Sequence, residues 1–141
     1  MGHGRKWGLR ILLNTRALLW WLAGDPRIEG KAQDLIADPA NDILVSVVSL
    51  WEIVVKVRVG KLEADIRDIV AAINTQGFEV LEIRPEHLED LVRLPLHHRD
   101  PFDHLLIAQA IAEGLTLLSE DQHVSAYPVA YVTCTDKGPC L

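Results

Sequence analysis

The sequence predicts an α/β protein, a parallel sheet with helices on both faces, from two observations. Strand-length aliphatic runs alternate with stretches of helical period, and strands joined through helices pair in parallel by crossover connections. The 141 residues, 49% of them apolar, suffice for one compact core, are too few to divide comfortably into two, and contain no repeats or low-complexity segments.

Residues 9–13, a continuous aliphatic run, form the first expected strand, and residues 17–23, rich in Leu and Trp, the helix behind it. Between them Asn14, Thr15 and Arg16 interrupt two apolar segments at a strand-to-helix junction. A second helix is expected over 29–37, closed by Asp38-Pro39-Ala40-Asn41, with 43–46 as the next strand. From 48 to 59 apolar residues crowd together with Glu52, Lys56 and Arg58 as the only charges, which predicts a largely buried helix stopped by Gly60. Ile66, Ile69, Val70 and Ile73 recur at helical spacing within 65–76, Gly77 closes that helix, and 78–83 alternates with the period of two of a strand. A short helix over 85–94 and an unusually apolar one over 101–113, ended by Gly114, precede a strand at 115–119. A last strand is expected around 129–132. The domain therefore spans 9–132, between an N-terminal extension (1–8) and a loose tail (133–141).

No apolar run approaches the roughly 18 to 20 residues that cross a bilayer, and the basic N-terminus is not followed by a small-residue cleavage pattern. The expectation is a cytoplasmic protein without a membrane partner. Cys134 and Cys140 lie beyond the periodic segments and read as tail thiols. Residues 1–70 carry 10 basic and 9 acidic side chains and residues 71–141 carry 4 and 11, so the formal charge of −6 arises in the second half. That sign opposes a broad basic nucleic-acid face and suits a cation-binding pocket.

In a doubly wound sheet, residues that follow strands and residues that open returning helices meet at the carboxyl edge. Four places put polar groups there: Asn14-Thr15, Glu52, Asp100 with Asp103, and Ser119 with Asp121. Carboxylates so gathered repel unless a divalent cation sits among them, and oxygen-only ligands suit Mg²⁺ or Mn²⁺ better than zinc. Such an ion activates water and stabilises charge on a phosphoryl oxygen.

Each residue also has a structural role open to it. Ser49-Leu50-Trp51-Glu52 matches a capping box, and Glu52 precedes Lys56 by four. Asp100-Pro101 with Asp103 is a good helix start, Asp121 beside Glu120 is a plausible turn carboxylate, and Asn14 suits a turn. Independent caps, however, have no reason to fall at one sheet edge every time. His97-His98 has no partner at zinc spacing and reads as a polar loop, and Trp20, Trp21 and Trp51 read as core or subunit interface in preference to base-stacking platforms.

The segments "LRILLNTRALLWWLAGDPRI", "ILVSVVSLWEIVVKVRVGKL" and "LPLHHRDPFDHLLIAQAIAEGLTLLSED" resemble the PIN-domain family, specifically VapC-type toxins of bacterial toxin–antitoxin modules, over about residues 9–132. The resemblance implies a three-layer sandwich around a parallel sheet of about five strands and a Mg²⁺- or Mn²⁺-dependent endoribonuclease site. It further implies a homodimer and a small VapB-like antitoxin that occludes the site. Glu52, Asp103 and Asp121 match the family's acidic positions, Asp100 a supporting carboxylate, and Ser119 the small hydroxyl residue beside the last acid. The chain departs at the first acid, where "LLLDTHALLWW" becomes Asn14, with Arg16 where relatives often have His.

Asn14 retains a carbonyl oxygen but cannot neutralise a cation, so weak metal binding and impaired cleavage are expected, with Arg16 reaching the remaining carboxylates. Arg16, Lys56, Arg58 and Arg99 are the candidates for holding RNA phosphates, although Arg58 reads as an ordinary surface charge. The alternative is an inactive domain kept as an antitoxin-binding or structural module. A receiver-like or haloacid-type phosphotransfer fold is disfavoured, because no nucleophilic aspartate ends the first strand and no lysine follows "LTLLS".

Overall fold

The computed structural model describes residues 8–134. Five strands, β1 (Arg10–Leu13), β2 (Asp42–Ser46), β3 (Glu79–Leu81), β4 (Thr116–Ser119) and β5 (Tyr131–Thr133), form one parallel sheet in the order β3-β2-β1-β4-β5. Six helices join them: α1 (Thr15–Ala23), α2 (Gly30–Ala37), α3 (Val47–Arg58), α4 (Ile66–Gln76), α5 (Pro85–Arg93) and α6 (Pro101–Glu113).

The strand period of two divides the core between the two faces. Ile11, Leu13, Ile43, Val45 and Leu118 pack with Ala17, Leu18, Ala32, Ile36, Ile69 and Ile73 of α1, α2 and α4. Leu12, Leu44 and Leu117 point the other way, onto Leu105, Leu106, Ile107 and Ala110 of α6, with Leu91 of α5 at the margin. This is the three-layer sandwich expected. Because β2 and β4 flank β1 on opposite sides, the chain reverses its winding between β1 and β4, and a crevice opens at their carboxyl ends.

Helix α6 buries every residue from His104 to Ala110, which explains its lack of a polar face. Asp100 caps it, Pro101 occupies the first position, and Gly114 closes it at φ 67°. A Cβ at Gly114 would meet nothing within 4 Å, so the cost of a side chain there is conformational alone. Gly114→Ala is expected to cost about 1 kcal/mol, or roughly 3 °C in melting temperature; no change in a thermal melt would contradict the left-handed cap.

Several boundaries differ from expectation for identifiable reasons. Helix α3 starts at Val47 because the Ser46 hydroxyl accepts from the Val48 N–H at 2.9 Å, which leaves Ser49 inside the helix and the proposed capping box unformed. Strand β3 is shorter than 78–83, since it is an edge strand with pairing only to residues Leu44 to Ser46. Strand β5 lies later than 129–132, pairing Tyr131 to Thr133 with Leu117 to Ser119. A 3-10 helix over Gln122–Ala126 had no counterpart in the sequence reading. Cys134 is not a tail thiol: it is fully buried, its N–H bonds the Ser119 carbonyl, its carbonyl accepts from the Glu29 N–H, and burial pushes the thiol up to about 12. Cys140, with most of the proposed extension and tail, lies outside the described residues. Trp51 is not core but 53% exposed, stacked edge-on against Phe102, while Trp20 and Trp21 are half-buried against the core.

Candidate active site

A cleft of about 580 Å³ opens at the crevice between the ends of β1 and β4. Asn14, Thr15, Glu52, Asp100, Asp103 and Glu120 all line it, drawn from four separate segments of the chain.

Asn14 is the cap of α1 and is 4% exposed. Its N–H bonds the Leu118 carbonyl at 2.9 Å, which ties the end of β1 to β4. Its Oδ1 accepts from the Ala17 N–H at 2.9 Å. An amide nitrogen could not take that place, because two donors would face each other, so the helix start decides which way the side chain is turned. The Nδ2 group is therefore directed at Ser119 Oγ (3.0 Å) and Glu120 Oε1 (2.6 Å). Asn14 presents a donor to the acids, not the carbonyl oxygen expected from its sequence position.

Glu52 is 4% exposed, and both of its oxygens are occupied. Thr15 Oγ1 donates to Oε1 at 2.6 Å while lying 3.0 Å from Ser49 Oγ, and Lys56 Nζ donates to Oε2 at 2.7 Å. The ion pair with Lys56 is the structural role the four-residue spacing suggested, and it coexists with a place in the cleft.

Asp100 accepts from the N–H groups of Phe102 and Asp103, so it opens α6 and faces the cleft at once. Asp103, at the third position of the first turn, is crowded. Burial pushes its carboxyl up to about 7, and the charges of Asp100, Glu52, Glu120 and Asp121 add to the rise. His98 Nε2 lies 3.7 Å from its carboxylate.

Asp121 is turned elsewhere. Ser119 Oγ accepts its N–H at 2.9 Å, its carboxylate accepts from the His123 N–H at 2.8 Å and pairs with the His123 ring, and it starts the 3-10 helix. It acts on Asp103 through space but is not among the lining residues, whereas its neighbour Glu120 is. Glu120 was passed over in the sequence, and the available signal was only that it directly follows a strand at the sheet edge. Arg16 reaches Glu120 at 3.9 Å from a half-exposed position, and Arg27, Lys56 and Lys61 complete a cationic rim. Arg58 and Arg99 are exposed and outside the cleft.

The histidines do not form a polar loop alone: His98 packs edge-on against His104 and Tyr127, stacks on His123, and shares a 2.8 Å contact with the Tyr127 hydroxyl. Among the described residues no three His, Cys, Asp or Glu side chains are drawn together as a closed metal site. The donor set nevertheless fits a hard divalent cation in its chemistry. Four carboxylates and no sulfur or imidazole line the cleft, a set of hard oxygen donors. Asn14, with its amide nitrogen inward, does not fit as a ligand.

A family model described as PIN domain matches residues 11–129. Among solved structures, VapBC2 from Rickettsia felis bound to a DNA fragment from its promoter is similar with a TM-score of 0.67 at 17% identity, covering 89% of this chain and 98% of that one. A toxin–antitoxin complex from Klebsiella pneumoniae gives 0.63 at 21% identity, covering 88% and 97%. VapBC-5 from Mycobacterium tuberculosis gives 0.56 at 19%, covering 88% and 96%. No curated protein matches the chain significantly. Among the described residues no helix is long and apolar enough to cross a membrane.

Proposed function

The chain belongs to the PIN domain family, and from that premise we propose that it is a VapC-like, metal-dependent endoribonuclease of a toxin–antitoxin pair, weakened at its first acidic position. The observation that carries the reading is the convergence of Glu52, Asp100, Asp103 and Glu120 on one cleft at the sheet's switch point. Glu52, Asp100 and Asp103 would hold Mg²⁺ or Mn²⁺, with Asp121 acting on Asp103 at longer range. When bound, the ion supplies an activated water and offsets charge on the phosphoryl oxygens.

The chain's own residues supply the rest. Thr15 orients the Glu52 carboxylate, and Lys56 holds its second oxygen at 2.7 Å in a buried position. The Asp100 cap fixes the first turn of α6 and with it the direction of Asp103. Arg16, Arg27, Lys56 and Lys61 at the rim are placed to hold RNA phosphates above an acidic floor, which reconciles a polyanionic substrate with a chain of net negative charge. The partner on this reading is a small VapB-like antitoxin, in keeping with the similarity to VapBC structures, and the chain acts in the cytoplasm as a homodimer.

The inward amide of Asn14 favours a second reading, an inactive domain retained to bind antitoxin. Incubation of the purified chain with a mixed RNA pool separates the two. Cleavage with Mn²⁺ that chelator abolishes is the expected result, slow in the wild type and faster in Asn14→Asp. Intact RNA with both proteins would sink the enzyme reading and leave the binding module.

A further inference from the structure

The charge missing at position 14 has a counterpart one hydrogen bond away. Asn14 Nδ2 lies 2.6 Å from Glu120 Oε1, closer than to any other partner, and the capping bond from Ala17 to Oδ1 prevents the amide from turning over. Glu120 follows β4 as Asn14 follows β1, and these two strands are adjacent, so the two side chains occupy the same corner of the cleft. The structure assigns to Glu120 the role of the fourth carboxylate in this cleft: we propose that it supplies a divalent cation with the anionic oxygen that position 14 lacks, and that Asn14 serves as its positioning residue. This rests on the metal-dependent reading and changes its consequence, since the impairment comes from relocation of a charge and not from its loss.

The pairing also explains why an amide suits position 14 here. A carboxylate at Asn14 would place two anions about as close as the present hydrogen bond, a contact that is repulsive without an ion between them. Arg16, 3.9 Å from the other Glu120 oxygen, steadies the side chain without burying it.

The test is calorimetric titration of Mn²⁺ into four proteins: wild type, Glu120→Gln, Asn14→Asp and the double variant. Gln retains the oxygen that accepts from Asn14, and Glu120→Ala serves if that variant does not fold. Glu120→Gln is expected to weaken Mn²⁺ binding at least about tenfold in the wild type, and by less than about threefold in the Asn14→Asp background, where a carboxylate again stands at position 14. Without metal, Asn14→Asp is expected to lower the melting temperature and Glu120→Gln added to it to restore the loss. An equal or absent effect of Glu120→Gln in both backgrounds overturns the assignment while leaving metal binding intact. Binding by Asn14→Asp but not by wild type also overturns it and supports a cleft disabled by Asn14. Failure of all four to bind overturns both the assignment and the metal-dependent reading.

Discussion

Asp103→Asn is expected to abolish Mn²⁺-dependent RNA cleavage, by at least about a hundredfold, while making the metal-free protein more stable at neutral and higher pH. The two effects have one cause. Asp103 is forced to ionise in a buried position and among other acids, and its carboxyl sits at about 7 in the folded chain against an ordinary value of 3.8. Between those two pH values the native state holds a proton that the unfolded state releases. Stability is therefore fully present below about 3.8 and is lost as pH rises through about 7. At about 1.4 kcal/mol per pH unit the whole penalty approaches about 4 kcal/mol above neutrality, an upper bound because water enters the open cleft. The amide escapes it. Melting curves from pH 4 to 8 should show the variant and wild type diverging as pH rises, the variant higher by up to about 10 °C, and Mn²⁺ raising only the wild type appreciably. Parallel curves would mean that Asp103 is not crowded, and undiminished cleavage would remove it from the site.

Ile107→Ala is expected to cost about 3 to 4 kcal/mol, a large part of the roughly 5 to 15 kcal/mol that holds a domain of this kind together. Ile107 is fully buried on α6, one turn beyond Asp103, against the sheet face formed by Leu12, Leu44 and Leu117. Removing it leaves a void in the layer that carries Asp100 and Asp103, so the melting temperature should fall by about 10 °C, with residual activity at low temperature if the cap at Asp100 survives. A loss below about 1 kcal/mol in chemical denaturation would show that α6 is not the packed central helix described.

The elements were legible because their signals are local. The strand-length aliphatic run in "ILVS" and helical spacing in Ile66, Ile69, Val70 and Ile73 reflect which side chains face a core, and such signals survive without knowledge of the partner. Helix α6 was found at the expected bounds since Asp100-Pro101 and Gly114 are strong end signals. Errors gathered where a competing local bond decided the matter. Ser46 outcompeted Ser49 as the cap of α3, and Cys134 entered the core because strand pairing with β4 carries the chain inward beyond Thr133. Trp51, in a run that looked buried throughout, sits on the outer face of α3, where bulk alone did not reveal orientation.

By itself the sequence determined the class of fold, the order of its layers and the gathering of acids at the carboxyl edge of the sheet, because each follows from periodicity and from the rule that parallel strands end together. Only the tertiary structure decided which of the neighbouring acids Glu120 and Asp121 enters the cleft and which atom of Asn14 faces it. Those choices are made by single hydrogen bonds, the Asp121 N–H to Ser119 and the Ala17 N–H to Asn14 Oδ1. Bonds of this kind turn a side chain through a large angle without leaving any mark on the pattern of residues along the chain.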